Sequence, residues 1–228
     1  KNKYDKHNRG GRDLWFDTSN SAANEIIDSI KGDNDINYVT LVAEPGSGKT
    51  MVVHCLIYNM YILENDITTA PTNITLTTGM SDKEWFDQVI NNFKLRDGDY
   101  LWNEINKISD NHCITHRSTF PKRINYLKNN KQFLHDHIFI IDESHFADGV
   151  GMTIHKELEE KLGLTKERIV QYNIKFIYVS ATPDVNLAVM DRNDRHYKIR
   201  LENGENYKGF EHYYETDRIH NDEGLDGI

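Results

Sequence analysis

The sequence predicts an α/β fold with a mostly parallel central sheet flanked by helices on both faces. Short apolar runs alternate with longer stretches of helical apolar spacing, the pattern of repeated strand–helix units. The run His137 to Ile141 is almost wholly apolar, as a strand covered on both faces requires. The 228 residues, 38% hydrophobic and 28% charged, can bury the core of one large domain and do not have the composition of a disordered chain.

Each element has its own signal. A helix is expected from about Ala22 to Ile30, and a first strand from Ile36 to Val42, entered through the turn-like Gly32-Asp33-Asn34-Asp35. Val53, Leu56, Ile57, Met60 and Leu63 recur at helical spacing, which predicts a helix from about Lys49 to Asn65. The strand Asn73 to Thr78 precedes Ser81-Asp82-Lys83-Glu84, a capping box that opens a helix with Trp85, Phe86, Val89, Ile90 and Phe93 on its apolar face. A short strand, His112 to Thr115, leads to a helix marked by Phe120, Ile124 and Leu127. Strands Lys175 to Val179 and Tyr197 to Leu201 follow, and Asn203-Gly204 closes the last with a tight turn.

Composition removes several classes. No run approaches the roughly 18 apolar residues that a membrane span needs, and the polar, charged start is not a secretory signal. The opening on Lys1 instead of a methionine fits a segment of a longer polypeptide. The two cysteines, Cys55 and Cys113, lie in apolar stretches without CxxC spacing and read as buried free thiols of an intracellular protein. Cys113 with His112 and His116 would make a zinc site only with a further ligand pair. The formal net charge is −9, and six of those charges fall within Glu202 to Ile228. Between Arg117 and Lys131, by contrast, five cations stand without a carboxylate. A globally acidic chain thus carries one local basic segment.

Two motifs carry chemistry. Ala43-Glu44-Pro45-Gly46-Ser47-Gly48-Lys49-Thr50 follows a strand and opens a helix, the context of a phosphate-binding loop. Glycine at 46 and 48 lets the backbone curl so that its N–H groups converge on phosphate, and the helix start adds its positive end. Lys49 would reach the β- and γ-phosphates, and Thr50 would place its hydroxyl on Mg²⁺. Alanine stands at the first position of the pattern, where glycine is usual. A turn that binds nothing is the plain alternative. The second motif, Asp142-Glu143-Ser144-His145, ends an apolar strand. Adjacent carboxylates on a strand point to opposite faces, so Asp142 can hold Mg²⁺ while Glu143 orients and deprotonates the attacking water. Alone, this motif is also an ordinary strand-to-loop sequence.

Together these residues resemble superfamily-two helicases. Asp142 to His145 resembles that family's DExH box, and Ser180-Ala181-Thr182 resembles its third motif. Loop, DExH box and third motif occur in the family's order between Val39 and Pro183. The resemblance implies the first RecA-like, ATP-binding domain of a DExH helicase or translocase, a P-loop NTPase using ATP and Mg²⁺. By it, Lys49, Asp142 and Glu143 are catalytic, Glu44 to Thr50 bind nucleotide, and Thr50 and Asp142 hold the metal. His145, Ser180, Ala181 and Thr182 would couple phosphate state to movement on nucleic acid.

The same resemblance, less closely, puts Thr78 and Gly79, and Thr115, His116 and Arg117, against a nucleic-acid backbone, with Lys122 and Arg123 nearby. A solvated basic helix face is the alternative. DNA is favoured over RNA because neighbouring classes act on DNA. Trp15 and Phe16 stand where such helicases hold adenine, and are equally readable as core packing. Residues 1–201 are then the ATP-binding domain, with 1–35 as an extension that includes the candidate adenine side. Residues 202–228 form an acidic connection to a second RecA-like domain, which in this family supplies arginines for hydrolysis. Other classes share these parts: a viral or phage packaging terminase (acting inside the host cell), a restriction-type translocase, and a non-catalytic module switched by nucleotide.

Overall fold

The computed structural model describes residues 13–32, 35–44, 47–61, 73–78, 83–87, 89–90, 113–142, 153–181 and 195–202. The strands are β1 (Tyr38–Val42), β2 (Ile74–Thr78), β3 (Ile138–Asp142), β4 (Lys175–Ser180) and β5 (His196–Arg200). They form one sheet in the order β2-β3-β4-β1-β5, and every pairing is parallel. The expected strand at His112–Thr115 is reduced to a single parallel bridge, Ile114 to Leu76, held by Leu76 N–H to Cys113 O and Thr115 N–H to Leu76 O, each 2.8 Å. It extends the sheet one step beyond β2.

Helices cover both faces, as parallel strands require. On one face lie α1 (Asp13–Lys31), α2 (Lys49–Tyr61) and the helical residues 83–87 and 89–90. Their apolar side chains Ile26, Leu56, Trp85 and Ile90 pack on Val39, Leu41, Leu76, Ile140, Ile177 and Val179. On the other lie α3 (Phe120–Asn129), a 3₁₀ turn (Lys131–Leu134), α4 (Thr153–Lys156) continuing as a π-helical turn (Glu157–Lys161), and α5 (Lys166–Gln171). These pack on Phe139, Ile141, Phe176 and Tyr178. Alternation along β3 and β4 therefore divides the core into two layers. Right-handed crossovers account for the division: moving outward from β1 to β2 puts α2 on one face, and moving back through β3 to β4 puts α3 to α5 on the other. Among the described residues no helix is long and apolar enough to cross a membrane.

The second face is organised by aromatic side chains in register. Tyr38 and Phe139 both pair with Phe176 along the ladders, and both rings stack on it, at 5.6 and 5.3 Å. Such cross-strand pairs add to plain burial and help fix register.

Two expectations are corrected. The first helix begins at Asp13, not near Ala22. The polar residues Asp17 to Asn20 are part of it because α1 packs along α2: Ser19 is buried, and Asn59 on α2 donates to Asn20 and Asn24 at 2.9 and 2.8 Å. Tertiary contact overrides local propensity here. The second correction concerns Arg123, read with the basic surface; its side chain is 0% exposed. It donates from Nε to Thr75 Oγ1 and from Nη2 to the Ile74 carbonyl, both at 3.0 Å, and its guanidinium lies 5.2 Å from the Tyr126 ring centroid. Lys122, one residue earlier, is exposed.

Arg123 belongs to a buried polar chain joining α3 to two strands. His137 Nδ1 meets the Phe133 carbonyl at 2.8 Å; a carbonyl only accepts, so Nδ1 carries the proton. Nε2 then accepts from Thr75 Oγ1 at 2.9 Å, leaving that hydroxyl oxygen to accept from Arg123. Burial, and next the Arg123 charge, push the His137 imidazole down from 6.5 to about 3.

Two outcomes follow from this chain. In urea unfolding, Arg123→Ala is expected to lose about 2–4 kcal/mol, since buried acceptors are stranded, while Lys122→Ala stays within about 0.5 kcal/mol. The unfolded chain protonates His137 below its ordinary 6.5, whereas the folded chain resists down to about 3. Stability is therefore full above 6.5 and falls through that window, by up to about 1.4 kcal/mol per pH unit. Comparing unfolding midpoints near neutrality and near pH 5 should show a smaller acid loss in His137→Gln than in the unchanged chain.

Candidate functional site

All strands run the same way, so their C-terminal ends share one edge of the sheet. Across that edge the register sets Thr78 beside Asp142, Asp142 beside Val179, Ser180 beside Val42 and Val42 beside Arg200. The next described helix after β1 packs on the α1–α2 face, and the next after β3 packs on the opposite face. Where the helices after two strands lie on opposite faces of an open α/β sheet, the usual ligand crevice is beyond the carboxyl end of the strand between them. Here that strand is β4. At ordinary strand spacing the ends of β1 and β3 stand about 10 Å apart, room for phosphate and a hydrated ion.

The β1 side of the crevice is a loop turning into a helix. Ala43 N–H donates to Ser180 O at 3.1 Å, carrying the β1–β4 ladder one residue past the strand. Ser47 folds back on Glu44, its N–H at 3.1 Å and its hydroxyl at 2.6 Å from the Glu44 carbonyl. Gly48 has φ +100°, a left-handed conformation costly for any residue with a Cβ. Met51 and Val52 N–H both donate to Gly48 O, at 2.8 and 3.2 Å. Amides earlier than these stand at the open, positive end of α2, and the first turn of α2 holds no acidic residue. The arrangement suits an anion. Glu44 also lies 3.9 Å from Arg200 of β5; both are well exposed, so this pair contributes little to stability.

The β3 side is Asp142, only 7% exposed. The Trp85 indole N–H donates to its Oδ2 at 3.0 Å. Trp85 is itself buried, in the helical turn that follows β2. Sequence pattern assigned this ring to an apolar face and missed its polar contact. The available signal was its place in the first turn after a strand that pairs with β3.

Thus Glu44, Ser47, Gly48, Lys49, Thr50, Asp142, Ser180 and Ala181 come to one edge. Ser180 is buried and bonded to the β1 exit, so it sits between the two sides. Pro45, Gly46, Gly79, Glu143, His145 and Thr182 lie outside the described residues, as do Ser81 and the Asn203-Gly204 turn. Trp15 and Phe16 fall in the first turns of α1. Thr78 and Thr115 have 0% and 1% exposure, His116 is half-buried and Arg117 is exposed. His116 caps the turn before α3 through Thr119 Oγ1, which accepts from its backbone N–H at 3.0 Å. Cys113 is fully buried, and burial pushes its thiol up to about 11 against the opposing Arg123 charge, which disfavours the thiolate a metal would need. Among the described residues no group of three or more His, Cys, Asp or Glu side chains is gathered for a metal. One Mg²⁺ on a triphosphate needs less, because water and phosphate supply most ligands. The hydroxyl of Thr50 and the carboxylate of Asp142 are the hard oxygen donors it takes, so the residues present fit the group.

A family model described as type III restriction enzyme, res subunit, matches residues 14–185. No curated protein matches the chain. Among solved structures, Cdc6p from Pyrobaculum aerophilum is 16% identical with a TM-score of 0.38, over 88% of this chain and 48% of that one. The Aeropyrum pernix ORC2 protein, in ADPNP–ADP complexes, is 13% identical with a TM-score of 0.30, over 86% and 49%. The chain spans about half the length of each.

Gly48 offers a direct check on the loop. Gly48→Ala is expected to cost about 1–2 kcal/mol in thermal or urea unfolding, because the added Cβ meets a disfavoured φ, and to weaken binding of a fluorescent ATP analogue.

Proposed function

This chain belongs to the type III restriction enzyme res subunit family, by the match over residues 14–185, and on that footing we propose that it is the ATP-binding motor domain of a DExH-type nucleic-acid helicase or translocase. The observation that carries the reading is the common edge: the phosphate-type loop at Ser47 to Thr50 and the carboxylate of Asp142 flank one intervening strand.

In this reading the amides at the start of α2 and the Lys49 ammonium bind the β- and γ-phosphates of ATP, with Pro45 and Gly46 completing the curl. Thr50 and Asp142 hold Mg²⁺, which when bound neutralises phosphate charge. Glu143 takes the proton of a water whose oxygen attacks the γ-phosphorus; the bond to the bridging oxygen breaks, and ADP leaves with the electron pair. Ser180, reached from β1 through the Ala43 amide, stands with Ala181 and Thr182 where loss of phosphate is felt, and His145 faces a second domain. Movement is along nucleic acid, DNA in preference to RNA, contacted at Gly79, His116 and Arg117. Burial of Thr78 and Thr115 leaves those two to shape the surface instead of touching it. Residues 1–201 form the ATPase unit, and 202–228 lead to a second RecA-like domain inside a cell. An arginine from that domain typically adds about 10³–10⁵ in rate, so the 228-residue chain hydrolyses little alone. Within this class the family match favours a restriction-type translocase over a packaging terminase.

Two variants test the proposal. Lys49→Ala should lower ATP affinity by at least about tenfold, the loss of a charge-assisted contact. Glu143→Gln should bind ATP normally and lose about 10²–10⁴ in phosphate release, measured with nucleic acid and the proposed second RecA-like domain present. Unchanged turnover in Glu143→Gln would favour the nucleotide-switched binding module instead.

A further inference from the structure

We propose that Trp85 is a positioning residue for the nucleotide site: its indole N–H holds Oδ2 of Asp142, and so fixes the plane in which that carboxylate meets a divalent cation. The inference rests on the reading of Asp142 as a metal ligand. A carboxylate at the end of a strand swings about χ2 at little cost, and each orientation presents a different oxygen to an incoming ion. The 3.0 Å bond from Trp85 Nε1 singles out one oxygen and takes one of its lone pairs.

The donor is itself well anchored. Trp85 packs in the layer formed with α1, α2, Leu76 and Ile140. Its neighbour Phe86 lies edge-on to His116, with ring centroids 6.4 Å apart. The helical turn is therefore gripped on both sides of the β2 end. Volume alone does not require tryptophan here, since leucine or phenylalanine fills an apolar layer; an indole adds one directed donor and nothing else polar. Ligand-orienting contacts of this kind typically govern metal affinity more than fold.

The discriminating measurement is calorimetric binding of a non-hydrolysable ATP analogue to the full chain, with Mg²⁺ and with chelator. Trp85→Phe is expected to bind the analogue as the unchanged chain does in chelator, and to lose about tenfold of the tightening that Mg²⁺ brings. Asp142→Asn should lose that tightening altogether. If Trp85→Phe keeps the full Mg²⁺ effect while Asp142→Asn loses it, the inference fails and the nucleotide site stands. If Asp142→Asn also keeps it, the site reading fails and takes the inference with it. Replacement of Trp85 by 3-benzothienylalanine, which keeps the ring shape and puts sulfur in place of N–H, gives the same outcomes without disturbing core volume.

Discussion

Parallel pairing of β4 between β1 and β3 is the constraint on which the site depends. Because every ladder is parallel, all strand exits meet at one edge, and residues far apart in sequence arrive there together. Insertion of β4 sets the distance between the loop after β1 and Asp142, across which phosphate and metal would be shared in the proposed site. The link from Ala43 N–H to Ser180 O ties the start of the loop to the middle strand. Any shift of β4 along its neighbours would move Ser180 relative to both sides at once. The stacked rings of Tyr38, Phe139 and Phe176 oppose such a shift from beneath, since they match only in this register.

The fold was largely legible in the sequence. The apolar run before Asp142 announces a buried parallel strand, and the glycine-containing turn before Lys49 announces a helix start after a strand; both elements occur where pattern put them. What failed was governed by tertiary contact. The first helix, expected from Ala22, begins at Asp13 and takes in Asp17 to Asn20 against Asn59 of α2. Residues 153–171 contain short α- and π-helical turns that no periodicity of that length reveals. Arg123 has the composition of a surface residue, yet Thr75 and the Ile74 carbonyl satisfy it inside the protein.

The site divides in the same manner. Lys49, Thr50 and Asp142 stood out as candidates because phosphate and Mg²⁺ call for those residue types after a strand, and their elements do meet at one edge. Trp85 did not, because one hydrogen bond from an otherwise apolar side chain leaves no mark on a pattern. Of the basic segment's cations, Arg117, Lys122, Lys128 and Lys131 are exposed and Arg123 alone is enclosed. Burial of Arg123 thus takes one charge out of the surface that counting cations implied.

In the proposed site the loop at the start of α2 and the end of β3 grip one magnesium triphosphate. A crystal structure of the chain with Mg²⁺ and a non-hydrolysable ATP analogue would then show phosphate density against the amides of Gly48 to Thr50, with the ion between Thr50 and Asp142. Nucleotide bound on another surface, or an ion remote from Asp142, would overturn this reading.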